Sequence, residues 1–167
     1  MVRKSTVFDK AAVMEILKKV EDPEVPVLTI EDLGVLQDVE FADDTITVII
    51  TPTYSGCPAM DMITVNIKAA LQEAGYDNVN VKLVLSPAWT TDWMSEEGKQ
   101  KLKAYGIAPP IGGSSDKTIL FEEEKHVPCP LCGSENTELI SQFGSTACKA
   151  LYRCLDCKEP FDYFKCH

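Results

Sequence analysis

Four cysteines arranged as two tight pairs constrain this chain more than any other feature. Cys129-Pro130-Leu131-Cys132 and Cys154-Leu155-Asp156-Cys157 are both C-x2-C, with 21 residues between the pairs. Two cysteines three apart on one turn present their sulfurs to the same side, and two such turns facing each other complete a tetrahedral four-thiolate site. Gly133, directly after the first pair, supplies the backbone freedom that such a turn needs. Candidate strands over 137–143 and 147–153 bring the second turn back beside the first. A module of roughly 45 residues has too little apolar material for an independent core and needs a metal to fold. The spacing therefore predicts a structural zinc ribbon with ligands Cys129, Cys132, Cys154 and Cys157. Rubredoxin-type iron and a metal-free thiol cluster are the competing readings. The rubredoxin form usually repeats Cys-Pro-x-Cys-Gly, and the second pair here departs from it.

Three further cysteines complete the seven. Cys148 lies in a β-patterned run and reads as a small buried thiol. Cys166, beside His167, reads as part of a frayed end. Cys57 stands alone. Disulfides are not expected, because the chain reads as cytoplasmic, a compartment that keeps thiols reduced. Its first residues lack the apolar stretch of a signal peptide, and no apolar run approaches the ~20 residues that cross a bilayer. Hydrophobic residues at 45% and charged residues at 25% are the balance of a folded chain. The net charge of -10 is spread over both halves. That leaves no basic surface to neutralise phosphates, so neither nucleic acid nor an anionic membrane is an expected partner.

Ahead of the cysteine pairs the pattern is that of a small α+β domain of αββαβ type. Asp9 can cap a helix from Lys10 to about Val20, with Val13, Ile16, Leu17 and Val20 on one face. Asp22-Pro23-Glu24-Val25-Pro26 ends it. A hairpin follows, from Val35 to Phe41 and from Thr45 to Thr51, its second arm β-branched throughout. A second helix runs from Ala59 to Ala74, closed by Gly75, then a half-buried strand over Val79–Leu85. A third helix spans Ser95 to Tyr105, with Gly106 after it. Residues 1–107 are thus expected to form the first domain, 108–120 a Pro/Gly/Ser linker, and 121–167 a ribbon of short antiparallel strands.

Cys57 is the candidate reactive residue of that first domain. Pro58 suits the first helical position, which predicts Cys57 at the helix N-cap, where N–H groups and the helix dipole lower a thiol's pKa. An inert buried cysteine is the alternative. No histidine lies near it in sequence, so a cysteine-protease reading lacks its base. Asp22 and Glu24 read either as a paired acidic site or as a solvated turn, and composition favours the turn. Trp89 and Trp93 are expected to pack, since no basic groove accompanies them. Phe161, Tyr163 and Phe164 fit two roles equally: exposed anchors for a protein partner, or packing on the ribbon's own strands.

Asp22-Pro23-Glu24-Val25-Pro26, Ile30-Glu31-Asp32-Leu33-Gly34, Pro52-Thr53 and Cys57 resemble the iron–sulfur assembly family called domain of unknown function 59, over roughly residues 10–106. Its eukaryotic members act in cytosolic iron–sulfur targeting and bacterial relatives in cluster maturation. The eukaryotic form carries a histidine directly before the cysteine, where this chain has Gly56. Residues 143–154, Phe-Gly-Ser-Thr-Ala-Cys-Lys-Ala-Leu-Tyr-Arg-Cys, and 159–165, Glu-Pro-Phe-Asp-Tyr-Phe-Lys, are similar to one subfamily. That subfamily is the D-type (or J-type) subunits of bacterial phenylacetyl-CoA epoxidases. The resemblance implies an accessory protein of aerobic phenylacetate breakdown that assists iron or iron–sulfur assembly, with the oxygenase and its reductase as partners. It implies that Cys57 transiently holds iron or a cluster, with Asp22 and Glu24 on the same binding surface, and that the chain is not catalytic alone. A structural or regulatory subunit without metal transfer is the alternative. A thiol-dependent transferase or redox protein is a third reading; it lacks a base and a C-x-x-C pair near Cys57.

Overall fold

The computed structural model describes residues 9–111 and 126–165. Helix α1, Lys10–Leu17, starts where the Asp9 carboxylate accepts the Ala11 N–H at 3.0 Å, and it buries Val13 and Leu17 completely. It ends three residues short of the expected Val20. The reason is tertiary: the Val20 carbonyl accepts the Ile30 N–H and the Asp22 N–H donates to the Leu28 carbonyl, each at 2.9 Å. Backbone that pairs across a loop cannot also continue a helix.

Strands β1, Leu36–Ala42, and β2, Thr45–Ile50, form the expected antiparallel hairpin. From β2 the chain crosses through helix α2, Ala59–Glu73, into β3, Val79–Leu83, which pairs parallel to β2. This is a βαβ unit. Ile46, Val48 and Ile50 of β2 meet Ile63, Ile67 and Leu71 of α2 in a core with no solvent exposure. The edge strand is less covered than its pattern suggested: Leu83 and Leu85 are about half exposed, at 49% and 58%. A 3-10 turn at Thr91–Trp93 leads to helix α3, Glu96–Tyr105, capped by the Ser95 hydroxyl and closed by Gly106 at φ +91°. Trp89 is buried and donates its indole N–H to the Leu33 carbonyl at 2.7 Å, a packing role as expected.

The second sheet has the strand order β4-β7-β6-β5. Here β4 is Ile107–Ala108, β5 is Thr137–Ser141, β6 is Lys149–Cys154 and β7 is Pro160–Phe164. The pairs β5–β6 and β6–β7 are antiparallel, whereas β4 joins β7 in parallel. Ala108, at the start of the expected linker, is therefore a buried sheet residue whose strand belongs to the ribbon. The rest of the linker from residue 112 on, and Cys166 and His167, lie outside the described residues.

Strand β7 decides between the two roles weighed for the terminal aromatics. Phe161, Tyr163 and Phe164 are 4%, 6% and 2% exposed, so the exposed-anchor reading is corrected to packing. Tyr152 stacks on Phe161 and meets Tyr163 edge-on, forming a small ribbon core with Val127, Cys129 and Cys154. Phe164 turns the other way. It meets Trp89 edge-on at 6.3 Å between centroids and, with Cys148 and Ile107, joins the core of the first domain. The ribbon is docked on its neighbour.

Candidate functional site

Two sulfur-bearing regions stand out, and the first is the cysteine knuckle pair. The first turn closes with the Gly133 N–H on the Cys129 carbonyl at 2.8 Å, Gly133 taking φ +78°. In the second turn Lys158 occupies the corresponding left-handed position at φ +68°, which explains how this pair dispenses with a glycine. Lys158 also donates its ammonium to the Leu155 carbonyl within that turn. Asp156 ties the turns together, accepting from the Ser134 hydroxyl and from the Asn136 amide.

The sulfurs of Cys129 and Cys157 are 3.8 Å apart and those of Cys132 and Cys154 are 3.6 Å apart, and all four lie within 4.8 Å of one another. A tetrahedral ion with metal–sulfur bonds of about 2.3 Å requires sulfurs about 3.8 Å apart, so the donor set fits such an ion. The Cys157 N–H points at Cys154 Sγ, and with the Asp156 N–H it holds that thiol down to about 7, against a smaller opposing effect of burial. The four cysteines predicted from spacing are those the fold brings together.

The second region surrounds Cys57. Helix α2 begins at Ala59 as expected, but its N-cap is Pro58 rather than Cys57, with no side-chain capping bond. Cys57 therefore precedes the cap. Its N–H donates to the Tyr54 carbonyl at 3.3 Å, and its own carbonyl accepts the Met60 N–H at 3.2 Å. Gly56 adopts φ +79° with open space around its α-carbon. The thiol still gains from the helix start, through the Ala59 N–H, and from a hydrogen bond with the Tyr54 hydroxyl. Burial outweighs both, and the charges of Glu24 and Asp22 add to it, so the thiol's pKa is raised, not lowered as position alone predicted. Cys57 is only 9% exposed.

Asp22 is buried rather than solvated, which corrects the simple turn reading. Its Oδ1 accepts the Glu24 N–H at 2.8 Å and the Val25 N–H at 2.9 Å, fixing the loop that carries Glu24. Burial pushes the Asp22 carboxyl up, opposed by those N–H groups and by Lys149. Glu24 is pushed up by burial and by Asp22, opposed by Lys149 and by Cys148. Asp22, Glu24 and Cys57 thus share one electrostatic neighbourhood. Three members were missed in sequence: Tyr54, Cys148 and Lys149. Tyr54 had the signal of lying three residues before Cys57. Cys148 and Lys149 come from a distant strand and carried none.

Residues 10–87 match the family model for an iron–sulfur cluster assembly protein, and residues 113–165 match the PaaD zinc beta ribbon domain. A protein of Escherichia coli K12, named as the D-type subunit of a "Putative 1,2-phenylacetyl-CoA epoxidase", is 50% identical over 151 residues. The match covers 90% of this chain and 89% of the relative. The chain belongs to the iron–sulfur cluster assembly family, in the branch that carries this zinc ribbon. An Fe-S protein maturation auxiliary factor of Porphyromonas gingivalis is 36% identical over 92 residues, covering 54% of this chain and 87% of that one. A crystal structure of a domain of unknown function 59 protein from Bacillus anthracis superposes with a TM-score of 0.52 and 27% identity. It covers 56% of this chain and 90% of its own. The α+β fold and the ribbon are those expected. Among the described residues no helix is long and apolar enough to cross a membrane.

Proposed function

We propose that this chain is an accessory maturation protein of a phenylacetyl-CoA ring-epoxidase system. In this reading it assists assembly of iron or iron–sulfur centres in the oxygenase or its reductase, and those components are its partners. The observation that carries the reading is the 50% identity to the E. coli epoxidase-system relative across nearly the whole of both chains. Maturation factors related to the first domain alone support the iron–sulfur part. Cys129, Cys132, Cys154 and Cys157 hold a resident zinc ion that cross-links the two knuckles. Cys57 takes the iron or cluster as cargo, with Asp22 and Glu24 beside it. A protonated thiol that must lose its proton to bind suits cargo held briefly, whereas a four-thiolate cage retains its ion.

Co-expression of the oxygenase components with wild-type or Cys57→Ser protein tests this. The expected result is under-loaded iron and slower epoxidation with the substituted protein, its zinc content and partner capture unchanged. Equal iron and equal rate would overturn the cargo role. A structural or regulatory subunit is then the reading, which the word "subunit" in the relative's name favours.

A further inference from the structure

We infer that the cleft between the two modules is a docking site for an arginine side chain of a protein partner, held by the carboxylates of Asp162 and Glu24. This goes beyond the accessory reading by naming the partner's chemistry, and it does not depend on Cys57 carrying cargo. The cleft is a cavity of about 450 Å³. One wall is a face of the ribbon sheet, with Lys149 and Leu151 of β6 and, in register opposite Leu151, Asp162 of β7. The other wall belongs to the first domain. Val25 and Pro26 supply part of it, from the loop that Asp22 holds, and Tyr105 and Gly106 supply the rest at the end of α3. A chain of polar contacts crosses from one module to the other. Asp162 Oδ2 accepts from the Ser145 hydroxyl at 3.4 Å, and the Lys149 ammonium donates to that hydroxyl and to the Glu24 carbonyl oxygen, each at 3.3 Å. Gly144 makes room for this arrangement, since a β-carbon there would stand 2.7 Å from Asp162 Oδ1.

Charge decides the occupant. Lys149 is 6% exposed and is the one cation in the cavity lining, against the two carboxylates of Glu24 and Asp162. Among the described residues neither carboxylate forms an ion pair. A second cation completes the balance, and a chain of net charge -10 favours its approach. An anion would have to share the cavity with two carboxylates. Arginine suits the place better than lysine: its flat guanidinium bonds a carboxylate through two parallel N–H groups and lies on a ring, while its stem covers apolar wall. Tyr105, 59% exposed, offers such a ring at the rim. The rim also points to a protein and not to a free small cation. Leu131 of the first knuckle is 57% exposed and reaches within 3.8 Å of where a Gly106 β-carbon would stand, beside Tyr105. Large apolar side chains left exposed together mark interaction surfaces.

Nitrogen-15 NMR titration of the full-length, zinc-loaded protein with the peptide acetyl-Leu-Arg-Leu-amide tests this. The expected result is saturable movement of the Gly106 and Gly144 amide signals. The citrulline counterpart, of the same shape without the charge, should bind roughly tenfold more weakly. Asp162→Asn keeps an oxygen for Ser145 and should weaken the arginine peptide by a similar factor, with bound zinc unchanged, and Glu24→Gln should weaken it as well. Cys57→Ser should bind the peptide as wild type does. Equal affinity for the two peptides, or movement spread evenly over the surface, would overturn the site. So would inorganic phosphate moving the same two signals in place of the peptide, which would make Lys149 an anion anchor. The cargo role of Cys57 stands or falls separately, on iron loading of the oxygenase.

Discussion

The ribbon cage and the Cys57 junction hold sulfur in opposite ways. In the cage the sulfurs stand at metal-bound spacing, on tight turns whose N–H groups point at them, near the surface; Cys132 is exposed. At the junction the thiols are buried and face carboxylates, whose charges add to burial in raising them; the raised cage thiols, Cys132 and Cys157, are pushed up by burial and by neighbouring sulfurs instead. A preorganised cage binds permanently, because its geometry is already that of the complex. At the junction no such donor set is preformed among the described residues. The difference is one of local turn chemistry against tertiary environment.

Removing a cage ligand gives the largest expected effect. Cys154→Ser should reduce the bound metal from about one ion per chain to none and unfold the ribbon, since metal binding is worth roughly 10–16 kcal/mol in such modules. Metal analysis with circular dichroism checks this. The first domain should stay folded but melt earlier, because Phe164 and β7 no longer cover Trp89 and β4. An unchanged melting temperature there would mean the docking contributes nothing.

Phe164→Ala strikes the junction without touching the cage. Phe164 is 2% exposed, so its loss should cost about 3–5 kcal/mol in urea unfolding while metal content stays the same. Loss of the metal would show instead that the two regions fold as one unit.

Asp32 supports the scaffold of the first domain, tying the 29–32 turn to α3. It accepts from the Thr29 N–H at 3.1 Å, the Ser95 hydroxyl at 3.0 Å and the Lys101 ammonium at 2.8 Å. Burial alone would push its carboxyl up, yet these partners hold it below the usual range. The stability they confer is full above the unfolded pKa and is lost as pH falls through the folded one. Asp32→Asn should cost about 1–3 kcal/mol at neutral pH, narrowing on acidification as wild type loses the same interactions. A constant gap in denaturant unfolding across that range would contradict the assignment.

The smallest effect concerns pH and the reactivity of Cys57. On the acid side of its raised pKa, its alkylation by iodoacetamide, followed by mass spectrometry, should quicken about tenfold per pH unit, because only the thiolate reacts. Over the same range the cage should keep its ion. A pH-independent rate would mean that Cys57 is already a thiolate, with Glu24 and Asp22 too remote to matter.

Much of this molecule was legible in the chain. The helix cap at Asp9, the Gly106 stop after the third helix, the β1–β2 hairpin and the four ligands appear where local pattern put them. Strand β7 was not anticipated, because its aromatics suit a partner surface as well as a core. Strand β4 was hidden because Ala108-Pro109-Pro110 signals a linker, while Ile107 and Ala108 pair with Asp162 and Tyr163.

By itself the sequence determined the cage, because each C-x2-C turn is closed by bonds among its own few residues and the pairing of β5 with β6 brings the turns together. Only the tertiary structure decided the state of Cys57. Its position before a helix argues for a low pKa, but burial and the fields of Asp22 and Glu24 come from segments more than thirty residues away, and they prevail. It likewise decided that Cys148 meets Glu24 across 124 residues. Turn geometry is a property of neighbours in the chain; desolvation is a property of whatever the whole fold packs around a group.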